Sequence, residues 1–112
     1  MQQMLIRRAS LCAFAAVAAI ALGAAAPAPT AVVKIGNFTF SPQVLTVAPG
    51  TTVTWDNEDD TPHTVVANDK SFRSKAMDTD ERYSMTFAKP GTYEYFCSLH
   101  PHMTAKIVVK AP

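Results

Sequence analysis

The 112-residue chain has few of the residues on which several common kinds of site depend: two cysteines, three histidines, one tryptophan and four glycines. Ten Lys and Arg stand against nine Asp and Glu, and a net charge of +1 gives no support for nucleic-acid binding. No segment repeats, and no stretch beyond the N-terminus has a convincing helical period. Only one long apolar run exists, residues 9–26, and it is Ala-rich and marginal against the roughly 20 residues that a bilayer span needs.

That run follows Arg7-Arg8 and leads into the Pro-rich stretch 27–29, so residues 1–26 read as a secretory signal, with the cleaved bond at Ala25, Ala26 or Ala28. An uncleaved N-terminal anchor is the competing reading. Arg7-Arg8 also hints at twin-arginine export, but Ser10 stands where that signal usually has a large apolar residue. Processing removes Cys12 with the signal. The remaining segment, residues 27–112, then holds eight basic and nine acidic residues, a net charge of −1, and Cys97 alone. A lone cysteine forms no internal disulfide, and an oxidising compartment such as the periplasm endangers a free thiol. A metal that holds it as thiolate explains its presence.

Residues 27–112 suffice for one domain with a modest core. Residues 31–40 are rich in β-formers and 43–47 follow the break at Ser41-Pro42. Ala48-Pro49-Gly50 is a turn, with Pro presetting φ and Gly accepting a left-handed conformation. In residues 51–55, Val53 and Trp55 share one face and Thr52 and Thr54 the other. Residues 63–67 read as a strand, and 68–81 as a polar stretch with a short helical turn and two large apolar residues, Phe72 and Met77. Tyr83, Met85 and Phe87 alternate, as do Tyr93, Tyr95 and Cys97, which puts the thiol on a buried face. The expected fold is all-β: a Greek-key antiparallel β-sandwich of seven to eight strands. An immunoglobulin-like sandwich fits the strand pattern too, but its paired cysteines are absent.

The chemistry is concentrated in Cys97-Ser-Leu-His100-Pro-His102-Met103, just before the strand-like residues 104–110. A thiolate, an imidazole and a thioether within seven residues favour copper, and Cys with two His and a weak Met is the blue-copper, electron-transfer donor set. The second imidazole has to come from elsewhere, and His63 is the only histidine outside the cluster. The pairing of Trp55-x-Asn57-x4-Pro62-His63 with Gly91-Thr-Tyr-Glu-Tyr-Phe-Cys97-x2-His100-x2-Met103 resembles the cupredoxins, the type 1 blue-copper family, and the short gap before Met103 is similar to its amicyanin branch.

The resemblance implies a cupredoxin-like sandwich over residues 27–112 and one copper ion held by His63, Cys97, His100 and Met103. It further implies a monomeric exported carrier of single electrons, with a quinoprotein amine dehydrogenase as donor and a c-type cytochrome as acceptor, both docking transiently near His100. No membrane span is expected after processing. Thr64 departs from the family pattern, in which Asn often ties the two ligand loops together. His102 is expected at the surface, beside Pro62 and Pro101, and the acidic residues Asp56, Glu58, Asp59 and Asp60 are expected to place negative charge near that patch. An exported copper carrier or chaperone is the alternative. Its usual clustered Met and His are missing, since Met77, Met85 and Met103 are well separated. An enzyme is the third class, and three histidines are too few for a type 1 centre plus a catalytic one.

Overall fold

A computed structural model describes residues 27–112, so the expected signal segment lies outside the described residues. Eight strands form two four-stranded sheets packed as a sandwich: β1 (Thr30–Gly36), β2 (Thr39–Ser41), β3 (Val44–Val47), β4 (Thr51–Asn57), β5 (Val66–Ala67), β6 (Arg82–Phe87), β7 (Gly91–Cys97) and β8 (His100–Val109). The first sheet has the order β2-β1-β4-β6 and the second β3-β8-β7-β5. The described residues contain no helix.

The alternations in sequence become the two faces of these strands. Val33, Ile35, Phe40, Val53, Trp55 and Phe87 point inward from the first sheet, and Tyr95, Cys97, Ala105, Ile107 and Val109 from the second. Trp55 is fully buried and meets Phe72, Tyr83, Phe87 and Tyr95, an aromatic centre that sets the spacing of the layers. On the outer face Thr52 pairs with Thr86 and Thr54 with Ser84, each at 2.7 Å across the ladder. Pro49 and Gly50 make the turn into β4, with φ of +90° at Gly50 and the Thr51 N–H returned to Ala48 O.

Three expectations need correction. The sandwich is not purely antiparallel, because β1 runs parallel to β4 and β3 parallel to β8. Between β1 and β4 the chain visits the other sheet as β3, so β4 re-enters beside β1 without a hairpin, and side-chain alternation carries no record of direction. Residues 31–40 are not one strand: Asn37 and Phe38 both adopt positive φ, 51° and 57°, and fold β1 back onto β2. This is the hairpin geometry for which Asn is suited and Phe is not. The helical turn in 68–81 is absent, and the strand at 63–67 shortens to β5. The 68–81 excursion instead lies back along 63–67, with Met77 N–H on His63 O at 2.8 Å and Ser74 N–H on Val65 O at 2.8 Å, while Phe72 and Met77 plug the core.

Asn57, at the end of β4, holds this region in place. It is fully buried, and its Nδ2 donates to Thr61 O at 3.1 Å and Met77 O at 2.9 Å while its Oδ1 accepts the Asp59 N–H at 2.9 Å. Its backbone closes further bonds to Glu81 O and from the Asp80 N–H. Asn57→Ala removes three bonds and leaves Thr61 O and the Asp59 N–H without that partner, while Met77 O keeps the His63 N–H, so a loss of about 2 kcal/mol is expected. Chemical denaturation of the metal-free protein measures it, with the exposed Lys89→Ala as a control expected within about 0.5 kcal/mol of the parent. Equal stabilities for Asn57→Ala and that control would remove Asn57 from this role.

Candidate metal centre

Cys97 ends β7, His100 opens β8, and the two are register partners across a two-residue turn, Ser98-Leu99. That pairing brings Cys97 Sγ to 3.6 Å from His100 Nδ1. The strand therefore begins at His100, four residues before the strand-like run in the sequence, and the loop between the strands is shorter than expected. From there, alternation turns Met103 inward with Ala105, Ile107 and Val109, and leaves His102 exposed. Met103 is 6% exposed and belongs to the same buried cluster as Cys97, which is fully buried.

His63 arrives from the β4–β5 connection, also fully buried, with Nδ1 3.8 Å from Cys97 Sγ. Its other nitrogen, Nε2, lies 2.8 Å from Asp59 Oδ2. A carboxylate only accepts, so Nε2 carries the proton and the Nδ1 lone pair faces the sulfur. Asp59 Oδ2 also accepts the Phe38 N–H at 3.1 Å. The bond to His63, followed by that from Phe38, holds the Asp59 carboxyl at about 2, well below the ordinary carboxylate range. Phe38 packs in T-shaped contact with both imidazoles, with centroid distances of 5.4 Å to His63 and 4.9 Å to His100.

Around the sulfur, burial alone pushes the Cys97 thiol up. Hydrogen bonds to the sulfur, the largest from the Thr64 N–H, outweigh it and bring the group down to about 6. Thr64 also bonds to the turn after Cys97: its Oγ accepts the Ser98 N–H at 2.7 Å and lies 2.8 Å from Ser98 Oγ. The two ligand-bearing segments are thus joined through a hydroxyl.

The ligand atoms of His63, Cys97 and His100 lie within 4.8 Å of one another, a buried thiolate and two imidazoles converging on one point. This set fits copper, since a soft sulfur and two nitrogens in a compact, mostly desolvated pocket are what that ion selects. Sequence reasoning missed Asp59, Phe38 and Ser98. Asp59 had a readable signal in its place four residues before His63, but its charge suggested solvent. Phe38 had none, because the turn that aims it is set by tertiary packing.

The profile of the Cupredoxin-like domain family matches residues 9–109. The chain is 37% identical over 112 residues to amicyanin-alpha of Methylorubrum extorquens, covering 91% of this chain and 94% of the relative. It is 35% identical over 89 residues to amicyanin of Paracoccus versutus, covering 75% and 67%. Among solved structures, a purple cupredoxin from Nitrosopumilus maritimus superposes with a TM-score of 0.69 at 32% identity, over 71% of this chain and 99% of that one. With the donor set in place and these relatives beside it, the chain belongs to the cupredoxin family, as an amicyanin-like, small blue-copper electron carrier and not an enzyme.

Proposed function

We propose that His63, Cys97 and His100 hold the copper, with Met103 as a weak fourth donor, and that the protein passes single electrons from a quinoprotein amine dehydrogenase to a c-type cytochrome in the periplasm. The observation that carries the ligand assignment is the convergence of the three donor atoms within 4.8 Å. Bound copper supplies a one-electron couple there. The chain's part is to keep the donors still: Asp59 fixes the His63 tautomer, the β7–β8 pairing fixes Cys97 against His100, and Thr64 joins the two segments. Little rearrangement is then needed when the charge changes. The carrier or chaperone alternative is disfavoured, because Met77 and Met103 are buried, Met85 is half-buried, and no cluster of surface methionines exists among the described residues.

Residues 1–26 as a cleaved signal and residues 27–112 as the mature domain complete this reading. No helix among the described residues is long and apolar enough to cross a membrane. Docking near His100 is supported by what surrounds it. His63 is sealed while His100 is half-buried, and Phe38 (48% exposed), Leu99 (50% exposed), Pro62 and Pro101 lie near the two imidazoles in space or in sequence. The acidic loop contributes less than its composition suggests. Asp59 turns inward onto His63, Asp56 faces Arg82 at 3.5 Å and Glu58 faces Lys34 at 3.7 Å, so only Asp60 of the four lacks a basic partner among the described residues. Apolar contact is the better-supported basis for a small, short-lived interface.

Three measurements test these assignments. Adding Cu(II) to the purified metal-free protein should produce an intense blue thiolate-to-copper band, absent in Cys97→Ser; colourless binding without a redox couple would defeat the ligand assignment. Asp59→Asn keeps the shape but loses the charge that orients His63, and copper retention against a chelator should weaken by about 10- to 100-fold. Unchanged retention would reduce Asp59 to a surface group. In stopped-flow mixing with the dehydrogenase, Leu99→Lys should slow electron transfer by about tenfold with the visible spectrum unchanged, since a buried charge at the contact is costly. A parent protein that exchanges electrons with neither partner would refute the partner assignment.

A further inference from the structure

We propose that Ser98 and Thr64 form a directed hydroxyl relay, Ser98 Oγ–H to Thr64 Oγ and Thr64 Oγ–H to Cys97 Sγ, which makes Thr64 a positioning residue that tunes the sulfur. This rests on the assignment of Cys97 as the copper thiolate. Thr64 Oγ has three neighbours: Ser98 N at 2.7 Å, Ser98 Oγ at 2.8 Å and Cys97 Sγ at 3.7 Å. A hydroxyl has one proton and two acceptor sites. The Ser98 N–H can only donate, so it occupies one acceptor site. The single Thr64 proton must then choose between Ser98 Oγ and Cys97 Sγ.

Charge makes the choice. If the Thr64 proton turned to Ser98, an oxygen lone pair would face an anionic sulfur with 5% exposure at Thr64 and none at Cys97 to screen the repulsion. If Ser98 donates instead, Thr64 Oγ uses both acceptor sites and its proton, and the sulfur gains a second donor beside the Thr64 N–H at 3.3 Å. Ser98 is half-buried, so water can serve its own lone pairs. The relay therefore runs one way, from the edge of the site inward. An Asn side chain here would offer its amide to the loop and would have no hydroxyl proton for the sulfur, so the exchange of Asn for Thr changes how the sulfur is solvated and not only the length of the tie.

The consequence is electronic. The thiolate carries more negative charge when the site is reduced, so each donor on the sulfur favours the reduced form and raises the potential. Hydrogen bonds to charged groups are stronger than those between neutral ones, and a part of that strength differs between the two oxidation states. Thr64→Val should shift the redox equilibrium against a fixed one-electron mediator about tenfold toward the oxidised form, which is about 59 mV for one electron. Its thiolate-to-copper band should move to longer wavelength, because the sulfur orbital rises. Thr64→Ser should restore both values.

Ser98→Ala is the deciding variant, since it leaves the Ser98 N–H tie intact and removes only the outer hydroxyl. The inward relay predicts a smaller drop in potential and a smaller red shift, from lost polarisation of the Thr64 O–H. A relay running outward predicts the opposite sign, because the freed Thr64 proton would turn to the sulfur. A rise in Ser98→Ala, or an unmoved potential and band in Thr64→Val, would overturn the proposal while the parent remains blue. A parent that never turns blue would overturn the ligand assignment itself, and the tuning with it.

Discussion

A sulfur that must carry negative charge where no water reaches it has to be solvated by the protein. Cys97 has no exposure, so its charge depends on the Thr64 N–H, the Thr64 hydroxyl and His100 Nδ1, all within hydrogen-bonding reach. None of these donors is adjacent to it in sequence. They are delivered by the β7–β8 hairpin on one side and by the β4–β5 connection on the other, and the second of these is held by Asn57 and by the excursion through Met77. Rigidity here has a defined origin. Two segments meet over one atom, and each is fixed by backbone bonds of its own.

Much of this was legible in the sequence, and what was hidden has a common cause. Period-two alternation gave the inward positions of Val53, Trp55, Tyr95 and Cys97, and the donors could be listed because only three histidines exist. Alternation reports faces, however, and is silent on strand direction, so the parallel pairs β1–β4 and β3–β8 were not visible. Propensity also failed at Asn37-Phe38, where packing against the imidazoles holds a bulky residue at positive φ. At Thr64 the chain departs from the family's Asn, and a hydroxyl still ties the two loops because they approach closely.

Asp59 illustrates how composition misleads at a metal centre. Four acidic residues in five positions look like a charged surface, yet one of them is 10% exposed at its side chain and bonds to an imidazole and to the turn that carries Phe38. Its oxygen connects the β1–β2 hairpin to the ligand loop. The same residue whose charge suggests a basic partner orients His63 instead, leaving Phe38 and Leu99 as the exposed large apolar groups near the imidazoles.

The parallel pairing of β3 with β8 joins Val44 to Lys106, and β1 reaches β4 across more than twenty residues, whereas Cys97 and His100 meet across a two-residue turn. Hairpins close in about 1–10 μs, while sheets built on distant pairings form over milliseconds to seconds. The two halves of the donor set therefore belong to different kinetic classes. Cys97 and His100 are three residues apart and His63 is 34 from Cys97, so one contact of the donor set is local and the other exists only once the sandwich has closed: a metal that engages all three donors reports on the completed fold.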